Sequence, residues 1–127
     1  MRDIYRVQDA GGRGPYRPGF SHRWVDENGP NNPPWWIEVG ETIETAMSRM
    51  SDPQMHYGCG FSTLDQLQSW FTARELRKLD RLGYKMVQFE ADVIIAETPS
   101  QVVFGCRLPL ACLHPRISLT SKLAKAA

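Results

Sequence analysis

Residues 61–106 read FSTLDQLQSWFTARELRKLDRLGYKMVQFEADVIIAETPSQVVFGC, and they decide the fold because their apolar spacing changes from helical to extended within one run. Ser62 and Asp65 fit a capping box, with Asp65 in place of the more usual Glu, so a helix is predicted to begin there. Thr72 is predicted to cap a second helix, which Gly83 ends. Both helices carry an apolar face at spacings of three and four, formed by Leu64, Leu67, Trp70 and Phe71 and by Leu76, Leu79 and Leu82.

From Tyr84 onwards, apolar and polar residues alternate, which is typical of a half-buried strand. The alternation continues through residues 87–95 and predicts one strand there. Residues 97–100, ETPS, form a turn signal, and residues 101–106 predict a second strand. The two strands are expected to form a hairpin.

Upstream of this run the elements are short. The sequence predicts a strand over residues 3–7, a helix over 41–50 and a strand over 56–61. The first 40 residues hold six of the ten glycines and five of the nine prolines, which favours a long ordered loop from Gln8 to Pro34. Three tryptophans in or beside this loop are expected to anchor it by burial: Trp24, Trp35 and Trp36.

These elements predict one small α+β domain over residues 1–117, followed by a tail over 118–127. We expect four or more short strands in a mostly antiparallel, twisted sheet, with two or three short helices packed on it. The chain has 127 residues, 42% hydrophobic and 23% charged, which is typical of a globular protein and excludes a disordered one. No stretch approaches the roughly 20 apolar residues of a membrane span, and the N-terminus lacks an apolar signal region. A cytoplasmic protein with no membrane partner is expected.

The formal net charge is +1, from 15 Lys and Arg against 14 Asp and Glu, which argues against a dedicated duplex-binding domain. The distribution is uneven. Residues 1–23 carry five arginines, residues 24–47 carry five acids and no Lys or Arg, and the last 23 residues carry four basic residues and no acid. This pattern indicates either internal pairing, solvated charges or a cationic face for an anionic ligand.

The three cysteines do not predict a disulfide framework or a metal site. Cys59, Cys106 and Cys112 are odd in number and lack a C-x-x-C spacing, so free thiols are expected. His114 lies only two positions after Cys112, and this spacing is shorter than zinc-ligand pairs on a tight turn generally use. We expect no metal cofactor.

Three stretches carry the candidate site residues. Arg6, between Tyr5 and Val7 on a predicted strand, requires an anion or carbonyl partners if it is buried, although it can equally point outward from an edge strand. Phe61, Ser62 and Thr63 lie where a strand leads into a helix N-terminus, which suits a phosphate or carboxylate, although Ser62 can simply be a cap. Gln101 opens a late strand, with Glu97 in the preceding turn. A solvated turn is the ordinary alternative there.

In this order, these stretches resemble the mono-ADP-ribosyltransferase-like fold over about half of the chain. That family carries an Arg or His on a first strand, an aromatic-hydroxyl motif leading into a helix, and a Glu or Gln at the start of a late strand. The resemblance implies NAD as a substrate, with Arg6 on phosphate or ribose, and Tyr5 or Phe61 beside the nicotinamide. It also implies that Ser62 and Thr63 steady the ribose or Arg6. The implied catalytic residues are Gln101 and Glu97.

Active members of that family generally place a glutamate where this chain has Gln101. An amide can bind a hydroxyl but carries no negative charge to stabilise an oxocarbenium-like state. The resemblance therefore implies either ADP-ribosyl transfer or NAD hydrolysis with Glu97 acting from the turn, or NAD binding without transfer. The implied acceptor is a macromolecule, either a protein or a nucleic acid, and a protein is favoured.

Two readings from other classes compete with it. The first is a non-catalytic, phage-type interaction or inhibitor protein that binds a host protein complex, suggested by the small size, the exposed look of the tryptophan-rich loop and the split charge. The second is single-stranded nucleic-acid binding, suggested by interleaved basic and aromatic residues, and it ranks last. Those residues are Arg13, Tyr16, Arg17, Arg23 and Trp24.

Overall fold

The computed structural model describes residues 2–16, 19–26 and 32–120. In chain order the strands and α-helices are β1 (Arg2–Gln8), α1 (Trp35–Glu38), α2 (Ile43–Ser48), β2 (His56–Gly60), α3 (Leu64–Trp70), α4 (Ala73–Arg81), β3 (Lys85–Ala91), β4 (Val93–Glu97), β5 (Val102–Cys106) and β6 (Arg116–Ile117). Short 3-10 turns lie at Ser21–Arg23 and Leu110–Cys112. The predicted α+β class is confirmed.

The strands form two three-stranded antiparallel sheets, in the orders β1-β3-β6 and β2-β5-β4. A backbone bridge between Tyr5 and Phe61 links β1 to the residue that follows β2, with both N–H···O distances at 2.8 Å. Ile4 and Val87 of the first sheet pack with Phe104 of the second in one buried cluster. This arrangement places the side chains of β1 beside the end of β2.

Helices α3 and α4 bury their apolar faces in a second cluster together with β1 and β3. Leu67 and Leu79 are fully buried there, beside Met86 and Trp24. Helix α4 begins with the predicted cap at Thr72, in a reciprocal capping box with Glu75. Gly83 follows α4 in the left-handed region at φ 93°, which is the predicted helix end.

The predicted cap of α3 is wrong by one residue. Thr63, not Ser62, is the N-cap, and its hydroxyl accepts from the Gln66 N–H. Ser62 instead donates through its backbone N–H and its hydroxyl to the side-chain oxygen of Gln66. With Thr63 as the N-cap, the third helical residue is Gln66, which a capping box prefers. With Ser62 as the N-cap it would be Asp65, which is less usual there.

The single strand predicted over residues 87–95 is also wrong, because the chain changes sheets at Asp92. Strand β3 belongs to the first sheet and β4 to the second. Asp92 donates its N–H to Gly105 and accepts from the Arg107 N–H, which fixes the crossing. The hairpin of β4 with β5 is confirmed.

The tryptophans predicted to anchor the N-terminal loop are largely buried. Trp24 and Trp35 are 1% and 4% exposed, and Trp36 is half-buried. The impression of an exposed tryptophan-rich loop is therefore wrong, because these rings pack into the clusters. The predicted helix over 41–50 is shorter, since Thr42 caps it and Arg49 ends it.

The three cysteines are free thiols. Of the predicted tail, residues 121–127 lie outside the described residues. Within the ranges that the structure describes, no helix has the length and apolar character needed to cross a membrane.

Candidate functional site

A cavity of about 700 Å³ opens beside the point where β1 meets the end of β2. Its walls come from distant parts of the chain: the loop after β1, the start of α1, strand β2 and the junction of α3 and α4. Aromatic rings make up much of the lining, including those of Tyr16, Trp35, Trp36, Phe61 and Trp70. The volume lies in the range of small-ligand pockets.

Arg6 borders this cavity and is buried, with 6% of its surface exposed. Three of its N–H groups are bound: Nε donates to Gln8 Oε1 at 3.0 Å, Nη1 to the Cys59 carbonyl at 2.7 Å, and Nη2 to the Gly12 carbonyl at 3.0 Å. The guanidinium also lies 5.7 Å from the centre of the Phe104 ring. A guanidinium has five N–H donors, so these contacts orient the group and leave donor capacity.

All three hydrogen-bond acceptors of Arg6 are neutral. Among the described residues no carboxylate lies within ion-pair distance of it, and none lines the cavity. Asp9 acts on it electrostatically, but the Asp9 carboxylate accepts hydrogen bonds from Gly11 and Arg13. Burial lowers the pKa of Arg6 from its ordinary value. The side chain remains a cation, since arginine does not deprotonate in proteins.

Of the glycines that border the cavity, Gly58 and Gly14 lie beside the Arg6 guanidinium. A Cβ atom at Gly58 would lie 2.7 Å from Arg6 Nη1, whereas one at Gly14 would lie 3.5 Å from Nη2. Gly58 therefore permits a close approach that any side chain on β2 would obstruct. Gly14 leaves ordinary van der Waals space.

Gln101 reaches the same cavity but uses its amide nitrogen elsewhere. Nε2 donates to the Pro33 carbonyl at 3.2 Å and to the Glu38 carboxylate. Glu38 also accepts from the hydroxyls of Thr98 and Ser100. Gln101 therefore fastens α1 to the turn before β5 and helps to hold the wall that carries Trp35.

The other predicted site residues do not line the cavity. Tyr5 makes the backbone bridge to Phe61, and Ser62 and Thr63 organise the start of α3. Glu97 forms an exposed ion pair with Arg2, which lowers the pKa of Glu97. The structure thus brings Arg6, Phe61 and Gln101 together and leaves the remaining four outside.

Several residues of the cavity wall were not predicted from the sequence to belong to this site. Tyr16 accepts a hydrogen bond from Trp70 Nε1 at 2.7 Å, and Asn32 donates to the Trp70 carbonyl at 2.8 Å. Tyr57 and Cys59 border the cavity from β2. Glycines alternating with these two residues were the available signal, because Gly58 and Gly60 mark a close backbone approach.

The arrangement is suited to binding. It places a cation against aromatic walls, and its described lining contains neither a carboxylate nor a histidine, whereas the phenol of Tyr57 and the thiol of Cys59 border it. Within the described ranges, no three His, Cys, Asp or Glu side chains gather as metal ligands. An anionic group on an aromatic or apolar body matches both the charge and the walls.

A family model described as Bacteriophage T4 Y00F protein matches residues 1–111. No curated protein and no solved structure matches the chain.

Proposed function

The chain belongs to the bacteriophage T4 Y00F protein family, and from this premise we propose that it is a non-catalytic phage protein that acts by binding a host protein. The part of the host protein that it recognises is an acidic group next to an aromatic or apolar side chain. The cavity beside Arg6 receives this group. The observation that carries the proposal is the buried Arg6, bound by neutral acceptors at the edge of an aromatic cavity.

A buried cation without an anionic partner is costly, because carbonyl contacts replace its hydration only in part. A carboxylate or phosphate at the cavity would supply the opposite charge, and guanidinium groups bind both in a bidentate manner. The aromatic walls provide the apolar area from which most binding energy at interfaces comes. Both features favour recognition of a compact anionic element over a flat surface contact.

The contacts of the candidate catalytic residues support binding without turnover. Glu97 is committed to Arg2 on the surface, and the Gln101 amide nitrogen is committed to Pro33 and Glu38. Neither arrangement leaves a carboxylate facing the cavity.

The test uses the purified protein as bait in a lysate of host cells, with quantitative mass spectrometry. The variants are Arg6→Met, which removes the buried charge, and Arg107→Met, which removes an exposed arginine that does not line the cavity. We expect a host protein retained by the wild type and by Arg107→Met, lost by Arg6→Met, and displaced by phenyl phosphate. Identical retention by all three baits, or no displacement, would contradict the proposal.

NAD binding is a second candidate because Arg6, Phe61 and Gln101, three of the residues implied by the ADP-ribosyltransferase resemblance, border one cavity. The family match adds no support to it. In this proposal Arg6 contacts the pyrophosphate and Phe61 packs against a base or the nicotinamide. ADP-ribosyl transfer would need Glu97 to leave Arg2 and reach the cavity.

Calorimetric titration with NAD and with ADP-ribose tests this candidate. NAD binding requires a measurable heat in the wild type that Arg6→Met abolishes, and transfer requires a labelled product in addition. A flat titration with both ligands, from protein whose folding is confirmed by circular dichroism, would remove NAD from consideration.

A further inference from the structure

Helix α4 presents an exposed face on which four basic residues form one stripe. Arg74, Arg77 and Arg81 are exposed, and Lys78 is half-buried beside them. Counted from Arg74, the other three lie three, four and seven positions along the chain, so all four lie on one side of the helix. Arg116 extends the stripe at its C-terminal end, because its guanidinium donates to the carbonyl of Gly83, just after α4.

The two acids of the same helix do not neutralise this face. Glu75 is buried and accepts from the backbone N–H groups of Thr72 and Asp26. Asp80 accepts from Lys85, from the Ser118 hydroxyl and from the Leu119 N–H. Both carboxylates therefore bind groups within the fold. Among the described residues, the charged side chains on the outer side of α4 are all basic.

Lys78 and Arg81 lie in the last turn, where the helix dipole favours a cation, but other parts of this distribution are unfavourable for the isolated helix. Like charges at spacings of three and four repel each other, and Arg74 lies in the first turn, where the helix dipole disfavours a cation. An anionic partner removes both penalties. The net charge of +1 does not reveal this face, since it is a sum over the whole chain.

We infer that the outer face of α4 is a docking surface for the phosphate backbone of double-stranded nucleic acid, without base readout. The stripe from Arg74 to Arg81 spans about 10 Å at the helical rise per residue, which is about three phosphate-to-phosphate steps and so covers about four phosphates along one strand. Arginine is the side chain best suited to phosphate because its planar fork binds two oxygens.

The composition of this face favours a duplex over the alternatives. Protein interfaces bury an apolar core, and the described outer side of α4 offers charged groups and Ala73 only. Single strands bind by stacking on aromatic rings, and α4 carries none. This inference is independent of the proposed function, because it concerns a different surface from the Arg6 cavity.

The experiment measures the binding of a fluorescein-labelled 20-base-pair DNA duplex of mixed sequence by fluorescence anisotropy, at salt concentrations between about 50 and 200 mM. The test variant is Arg77→Gln with Arg81→Gln, since glutamine keeps the helix propensity and relieves repulsion. The control is Arg2→Gln with Arg107→Gln, two exposed arginines that lie outside both α4 and the Arg6 cavity. Each pair lowers the formal net charge from +1 to −1.

If four phosphate contacts form, the wild-type affinity falls about 100-fold across this salt range, and that of the α4 variant about 10-fold. At the lowest salt the α4 variant binds at least about 10-fold more weakly than the control. No binding by the wild type, or equal loss in both variants, would overturn the inference. Binding of polyglutamate in place of the duplex would also overturn it, and would assign the face to an acidic protein.

Discussion

A methyl group added at Gly58 tests whether Arg6 is held as rigidly as its contacts indicate. In Gly58→Ala the new Cβ atom would lie 2.7 Å from Arg6 Nη1, 3.0 Å from Arg6 Cζ and 3.1 Å from Phe104 Cζ. A free arginine would swing away at little cost. The Arg6 guanidinium is hydrogen-bonded to Gln8, Cys59 and Gly12. Relieving the clash therefore requires losing at least the hydrogen bond from Nη1 to the Cys59 carbonyl.

Overpacking of this kind costs about 1–3 kcal/mol. For a chain of this length, 1 kcal/mol corresponds to about 3–5 °C in Tm, so we expect Gly58→Ala to unfold about 3–15 °C below the wild type. The matched control is Gly14→Ala, whose Cβ would lie 3.5 Å from Nη2, an ordinary contact. Its stability should stay within about 1 kcal/mol of the wild type.

Thermal unfolding followed by circular dichroism, with urea unfolding as an independent measure, compares the two variants. If Gly58→Ala is no less stable than Gly14→Ala, Arg6 is not held rigidly by its hydrogen bonds. The cavity would then lack a cation in a fixed position.

Three further predictions concern the supports of the fold. Thr72→Ala removes the α4 cap and should lower the unfolding free energy by about 0.5–2 kcal/mol in urea titrations; an unchanged midpoint would show that the capping box with Glu75 contributes nothing. Burial raises the pKa of Asp80, but the hydrogen bonds from Lys85, Leu119 and Ser118 outweigh it and hold that pKa below its ordinary value. The stability that the Asp80 carboxylate supplies is therefore complete above the ordinary Asp pKa, and it is lost as the pH falls through the lowered pKa of Asp80. The Tm difference between the wild type and Asp80→Asn should therefore shrink on acidification. A constant Tm difference from neutral to acid pH would refute this. Glu97→Gln breaks only an exposed ion pair with Arg2 and should change the unfolding free energy by less than about 1 kcal/mol; a larger loss would show that Glu97 does more than pair on the surface.

The local elements followed from the sequence where one physical signal governs the backbone. The Thr72 cap, the Gly83 helix end and the hairpin across residues 97–100 each depend on neighbours within a few positions. The predicted N-cap of α3 was wrong by one residue because Ser62 and Thr63 both carry a hydroxyl group. Only their different hydrogen bonds with Gln66 distinguish the two.

Long-range placement did not follow from the sequence. Alternation continues from β3 into β4, so period alone cannot show that the chain changes sheets at Asp92. The role of Gln101 depends on Glu38, which is 63 positions away. In both cases the deciding contact lies outside any local window.

The basic face of α4 shows a third limit. Glu75 and Asp80 reduce its four positive charges to a net +2 when residues 73–81 are summed. Only the helical period together with the burial of Glu75 separates the cations from the acids. For the cavity, the sequence identified Arg6, Phe61 and Gln101, but the aromatic walls come from distant elements such as α1 and α3, whose placement around the cavity no period predicts.

The most direct test of the central claim is a titration of the protein with phenyl phosphate, followed by the tryptophan fluorescence of the rings at 35, 36 and 70 that border the cavity. We expect saturable binding by the wild type and by Arg107→Met, at least about 10-fold weaker binding by folded Arg6→Met, and no binding of the uncharged benzyl alcohol. Equal affinities in the wild type and Arg6→Met, or no saturation in the wild type, would contradict an anion site at Arg6.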